Sequence, residues 1–341
     1  MTLGVGFLGC GPVAQAIHIP SIRNFPGDLS LAGFMDVDGD LAQRLADQHA
    51  GFATTDEDAL ITDARVDIVV VGSPNAHHAR QIIKACSAGK RVVLAEKPLA
   101  VNREELTAIQ AAARESGTRI IMGAMHSFDH AFLQALPTWR GLGERPTSIE
   151  VSSCIDANED QVDCATQLLV PAPSAAASAP AGPPPEISTI TMGILGLATH
   201  DIPLVREFLP TAPTLIAGRR SWPRGYALQG VAEGCSVSYI GLFPVKWTPP
   251  QWSMRVVTPS SVLTIEFQMS YVLVSSCTVR LTVNGVTTEW HTPEASYVSE
   301  WRQLLAEAHG AEALYSLDRI GDDLAYALSL VEQLPSVLLE R

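Results

Sequence analysis

Gly9-Cys10-Gly11-Pro12-Val13-Ala14 has the spacing G-x-G-x-x-G/A, with alanine in the third place. That pattern suits a strand-to-helix turn that holds a pyrophosphate. Gly9 lets the chain turn tightly and Gly11 lets the backbone come close. Pro12 and Val13 open a helix whose free N–H groups and positive dipole end face the anion. Asp36 lies about 25 residues on, at the end of the next apolar run, where a carboxylate hydrogen-bonds a ribose 2′-hydroxyl. The pair points to a nicotinamide dinucleotide. A carboxylate there repels a 2′-phosphate and favours NAD, while Arg44 on the following helix leaves NADP open.

Glu96-Lys97-Pro98 follows the apolar run Arg91 to Leu94. A lysine at the carboxyl edge of a parallel sheet faces the ligand crevice and can donate a hydrogen bond or a proton to a reacting oxygen. Its alternative is a solvated lysine before a proline. Ser73-Pro74-Asn75-Ala76-His77-His78 has the residue types of a loop that covers a cofactor and then starts a helix. Thr199-His200-Asp201-Ile202 sits in a helical pattern; a lone helical histidine is structural more often than catalytic, so His200 needs other support.

The elements that must position these residues can be drawn from periodicity. Strands are expected at Leu3 to Leu8, Ser30 to Asp36, Ile68 to Gly72, Arg91 to Leu94 and Arg119 to Gly123. Helices fall between them at Val13 to Arg23, Gly39 to Gln48, His77 to Ala88 and Arg103 to Ser116. Such alternation predicts βαβ units on a parallel sheet. After Asp129 the pattern becomes a helix (Ala131 to Trp139), a strand (Thr147 to Ser153), a Pro/Ala/Ser-rich loop at 171–185 and a helix from about Ile194 to Leu209. Strands follow at Thr214 to Arg220, Cys235 to Phe243, Ser253 to Thr258, Ser261 to Gln268 and Thr278 to Val283, with a hairpin at Asn284-Gly285. Two helices, Ser296 to Ala308 and Leu317 to Leu334, end the pattern.

The 341 residues, 47% hydrophobic and 17% charged, are enough for two folded domains. The formal charge of -13 and the lack of a basic stripe exclude nucleic acid as the expected partner. No apolar run approaches membrane-spanning length and no export signal is visible, so a cytoplasmic protein is expected. The six cysteines show no metal-ligand spacing, so no metal is expected and the thiols are read as reduced.

These residues resemble the Gfo/Idh/MocA family, the group of glucose–fructose oxidoreductase and inositol dehydrogenase. The likeness rests on Gly9-x-Gly11-x-x-Ala14, Asp36, Ser73-Pro74-Asn75-x-x-His78, the run Ala88 to Leu99 that contains Glu96-Lys97-Pro98, and His200-Asp201. The resemblance implies an α/β chain: a Rossmann domain over residues 1–123 and a second α/β domain over 124–341, with a large, mostly antiparallel open sheet. Its closing helices would return to the Rossmann domain, and the sheet's exposed face would join subunits into a homodimer or homotetramer. It implies Lys97 and His200 as proton carriers, with Lys97, His126, His200 and Asp201 at a small-molecule substrate. Gly9, Gly11, Pro12, Val13, Asp36, Ser73, Pro74, Asn75, His78, Glu96 and Lys97 would line the cofactor.

Two departures stand out. The family often carries Asp four residues before the histidine, where this chain has Gly196, and many relatives carry Asn or Arg before the Phe of the run Met125-His126-Ser127-Phe128-Asp129-His130, where His126 is the candidate for a polar contact instead. The expected reaction is hydride transfer between a nicotinamide and a carbonyl or hydroxyl carbon of a sugar or cyclitol. The alternatives are a reductase or dehydrogenase of a keto-sugar nucleotide or an imine, and a silent dinucleotide-binding regulator. Trp222, Tyr226, Trp247 and Trp252, with the 171–185 loop, are candidates to cover a larger substrate.

Overall fold

The computed structural model describes residues 2–156, 158–169, 186–221, 225–242 and 251–338. The 171–185 loop, Trp222 and Trp247 lie outside the described residues. Two compact units divide the chain: one takes the described residues within Met1–Gly123, Val162–Ala179 and Glu300–Asp322, the other those within Ala124–Gln161, Pro180–Ser299 and Asp323–Arg341.

The first unit is built on β1 (Leu3–Leu8), helix α1 (residues 14–22), β2 (Leu29–Met35), α2 (Gly39–His49), β3 (Phe52–Thr54), α3 (Glu57–Thr62), β4 (Ile68–Val71), α4 (Asn75–Ser87), β5 (Val92–Glu96), α5 (Arg103–Ser116) and β6 (Arg119–Gly123). Its six strands are all parallel, in the order β3-β2-β1-β4-β5-β6. The chain leaves β1 toward β2 on one side and returns to β4 on the other. This makes a crevice at the carboxyl ends of β1 and β4, the place where doubly wound sheets take ligands. Buried on both faces, β1 and β4 carry an unbroken row of interior side chains.

Local chemistry sets the helix ends. Asp38 caps α2 by accepting from Asp40 N and Leu41 N, and Asn102 caps α5 by accepting from Glu105 N at 2.8 Å. Asn102→Ala is expected to cost about 1 kcal/mol, read as a lower denaturation midpoint with an unchanged slope. Two boundaries of this unit differ from the periodicity by two residues. Strand β5 runs on to Glu96 because Ala95 and Glu96 pair with Met122 and Gly123. Helix α4 begins at Asn75 rather than His77, since Pro74 supplies the extended entry residue.

The second unit follows with a 3₁₀ turn (Met125–Phe128), α6 (His130–Gly141), β7 (Ser148–Cys154), α7 (Asn158–Ala165), α8 (Glu186–Gly193) and α9 (residues 194–208). Strands β8 (Thr214–Arg220), β9 (Gly225–Ala232), β10 (Cys235–Leu242), β11 (Gln251–Val257), β12 (Ser261–Glu266), β13 (Thr278–Val283) and β14 (Val286–Trp290) come next. Helices α10 (Ser296–Ala308) and α11 (Leu317–Val337) follow; the first ends, and the second begins, in residues grouped with the first unit.

The eight strands are ordered β14-β13-β12-β11-β7-β10-β9-β8, and only β7 with β10 is parallel. Alternation along β11 buries Trp252, Met254 and Val256 on one face. Ile216, Val231 and Ile240 are exposed on the other strands. Asn284 (φ 50) and Gly285 (φ 82) form the hairpin turn that joins β13 to β14, both in the left-handed region. Among the described residues, no helix is long and apolar enough to cross a membrane.

Candidate functional site

In the first unit the glycine loop is locked to the end of β2. Gly9 N donates to Met35 O at 2.9 Å, and Cys10 N donates to Asp36 Oδ2 at 2.7 Å. Asp36 Oδ1 accepts from Asp38 N at 3.0 Å. Gly9 has φ +97, and a Cβ there would lie 2.7 Å from Gly72 O, so only glycine fits between β1 and β4. At Gly11 a Cβ meets nothing within 4 Å, leaving the backbone open to a ligand. These features fit a dinucleotide, with its pyrophosphate on the loop and its ribose beside Asp36. Cys10 is buried; burial, then the Asp36 charge, pushes its thiol far above the usual range, so it stays protonated.

After β4, Ser73 Oγ donates to Gln81 Oε1 at 2.6 Å, while Pro74 and Asn75 are exposed. His78 is buried with Nδ1 2.8 Å from Pro98 O and Nε2 2.7 Å from Ser73 O. Its two ring nitrogens therefore join the loop after β4 to the turn after β5, and neither is turned to a ligand.

Glu96 ends β5, and Lys97, linked to Pro98 by a cis peptide bond, is the first residue beyond the strand. Burial lowers the Lys97 amine from the ordinary lysine value, and the neighbouring Glu96 charge opposes that shift. Burial pushes the Glu96 carboxyl up, but the His18 hydrogen bond, with the positive charge of Lys97 beside it, outweighs it and leaves Glu96 below the usual range. The pair is poised as carboxylate and ammonium, the ammonium easier to deprotonate than an exposed lysine.

In the second unit, four residues singled out in the sequence come together: His126, His200, Asp201 and Trp252. His126 Nδ1 is 3.0 Å from Asp201 Oδ1, and the His126 and His200 ring centroids are 5.7 Å apart. Trp252 Nε1 donates to both Asp201 oxygens at 2.9 Å. Phe267 stacks on His126 with centroids 3.9 Å apart. Burial pushes the Asp201 carboxyl above its ordinary value, against the bonds from His126 and Trp252. Tyr226 and Trp252 are buried, so Trp252 anchors Asp201 instead of lying over the surface.

A Cβ at Gly196 would meet nothing within 4 Å, so space does not exclude an aspartate there. The turn before His200 is widened, Thr199 N reaching back to Ile194 O, an i→i+5 bond. Lys97 and His200 belong to different units. The periodicity gives no sign that His18 meets Glu96 and Trp301 meets His18, or that Trp252 meets Asp201 and Phe267 stacks on His126.

Residues 3–124 match the family model described as oxidoreductase family, NAD-binding Rossmann fold. Inositol 2-dehydrogenase 2 of Saccharopolyspora erythraea is 34% identical over 136 residues, 39% of this chain and 40% of that protein. The chain thus spans about two fifths of the length of this curated relative. A 3-ketoreductase of Actinomadura kijaniata, solved with NADP and TDP-benzene, superposes with a TM-score of 0.74 at 18% identity, covering 100% of both chains. An aldose-aldose oxidoreductase of Caulobacter crescentus, solved with glycerol, gives 0.75 at 17% identity and 98% of both chains. These two likenesses carry the fold alone.

Proposed function

We infer that this chain, whose residues 3–124 match the oxidoreductase-family model, is a Gfo/Idh/MocA-type NAD(P)-dependent oxidoreductase acting on a carbonyl or hydroxyl carbon of a sugar, cyclitol or related polar molecule. The observation that carries the reading is Lys97, with a lowered amine, at the carboxyl edge of the sheet that also bears the Gly9–Asp36 loop.

A bound nicotinamide would supply or accept the hydride. The chain's task is to hold the reacting oxygen and manage its proton. Lys97 Nζ donates to that oxygen in reduction and takes the proton back in oxidation. His200 is the acid and base assigned to the second unit. Asp201 holds His126 by its Nδ1, and His126 supplies a polar contact to the substrate. Asp36 would bind the adenine ribose, Gly9, Gly11, Pro12 and Val13 would hold the pyrophosphate, and Ser73, Pro74 and Asn75 would border the cofactor. His78 and Glu96 act by holding the turn that carries Lys97. The exposed sheet face that bears Ile216, Val231 and Ile240 joins subunits, which light scattering checks as a mass above one chain.

The first test is fluorescence titration with NADH and NADPH, then absorbance loss on adding sugars, inosose-type ketones and keto-sugar nucleotides. Turnover of one panel member supports the reading. Cofactor binding without turnover of any of them favours a dinucleotide-binding regulator, and no binding of either cofactor overturns the reading. Asp36→Ala is expected to weaken NADH about tenfold or more and to narrow its advantage over NADPH, because a charge-assisted bond to the ribose is lost. The same titration checks it.

A further inference from the structure

Beside Lys97, and in the same unit, lies a hydrogen-bonded chain that touches neither end of the expected reaction. Trp301 Nε1 is 3.1 Å from His18 Nδ1, and His18 Nε2 is 3.0 Å from Glu96 Oε1. His18 is 1% exposed and Trp301 0%. An indole N–H can only donate, so His18 Nδ1 is the acceptor and carries no proton. The ring proton is then on Nε2, from which it is donated to Glu96.

We propose that Trp301 and His18 are positioning residues for the reaction: the indole fixes the Nε2–H tautomer of His18, which holds Glu96 as the carboxylate that keeps Lys97 protonated. The inference rests on the assignment of Lys97 as proton carrier. It adds residues from α1 and α10 that act only through Glu96.

The groups that face Glu96 are His18 from α1, Lys97 next in the chain, His78 from α4 and Glu300 from α10. Both Glu300 oxygens are buried without a hydrogen-bond partner, and burial, then the Glu96 charge, holds that carboxyl well above the usual range. Glu300 therefore stays neutral and the single negative charge sits on Glu96. If His18 turned a bare Nε2 lone pair toward Glu96, the donor would be lost and two acceptors would face each other. Glu96 would then bind a proton more readily. Lys97 would lose its compensating charge and give up its own proton at lower pH.

Two readouts test this. In long-range proton–nitrogen spectra of the intact protein labelled with ¹⁵N-histidine, the signal absent from His18→Gln is His18. It is expected as the Nε2–H tautomer alone, with both tautomers in Trp301→Phe. A wild-type proton on Nδ1, or on both nitrogens, would overturn the chain whatever the protein catalyses.

The second readout is the alkaline limb of kcat/KM for reduction. His18→Asn, whose amide reaches only the Nδ1 position, is expected to move the limb about half to one pH unit lower. His18→Gln, whose amide nitrogen reaches the Nε2 position, is expected to leave it in place, a contrast that needs no Trp301 variant to fold. An unmoved limb in His18→Asn, or an equal shift in both variants, would overturn the coupling to Lys97. Failure of the functional reading itself would look different: no turnover by the wild type, with the His18 tautomer as described.

Discussion

Lys97→Met should lower kcat for reduction by about 10²- to 10⁴-fold, the usual contribution of a positioned proton donor, with little change in NADH affinity. Methionine keeps the unbranched apolar stem that packs after β5 and removes the ammonium. In the wild type, burial lowers the amine and the Glu96 charge only partly restores it. Reduction needs the ammonium, so its rate is retained at low pH and falls as pH rises through a value below the ordinary lysine range. Oxidation needs the free amine and rises through the same window. The Met variant should lose both limbs. Steady-state kinetics with a fluorescence titration of NADH decides it: full turnover by a variant that still binds NADH would remove Lys97 from the chemistry.

Glu300→Gln should make the protein more stable, increasingly so as pH rises. The wild-type carboxyl is 0% exposed, both oxygens are buried without a partner, and burial with the Glu96 charge raises its folded-state value well above the usual range. For a group raised on folding, the stability it lends is complete below the unfolded value, about 4.3 for glutamate, and is lost as pH rises toward the folded one. The unfolded chain ionises freely over that span while the folded chain must hold the proton, at about 1.4 kcal/mol per pH unit. Glutamine has the same shape and no such dependence. Urea unfolding of both proteins from pH 4 to pH 8 should show them close at the acid end and the variant ahead by a margin that widens with pH. A constant deficit of the variant across the range would mean that the Glu300 carboxyl makes a bond the amide cannot.

Much of the first unit is legible because its signals are local. Gly9-x-Gly11, the apolar runs and the caps at Asp38 and Asn102 depend on neighbours a few residues away. Strand β3 and helix α3 escape periodicity because three and six residues are too short to show one. Strand β9 escapes for a different reason: Gly225 and Gly230 interrupt its alternation where the backbone of a neighbouring strand comes close. The mostly antiparallel character of the second sheet is readable from its hairpins. The insertion of β7 between β10 and β11 is not, since nothing in residues 148–154 names partners about ninety residues or more away.

The sequence by itself determined which chemical groups are present and which local turns and helices carry them: a Gly-x-Gly loop, an acidic residue at the end of β2, a lysine after β5 and a His-Asp pair in a helix. Tertiary structure alone decided their states. Glu96 is held as a carboxylate by His18, 78 residues before it, and His18 is itself oriented by Trp301, 283 residues after His18. Asp201 meets His126 and Trp252 across separations of 75 and 51 residues. A hydrogen bond requires contact and direction, and a raised or lowered pKa requires desolvation by surrounding atoms; both are properties of packed neighbours in space, which spacing along the chain does not encode.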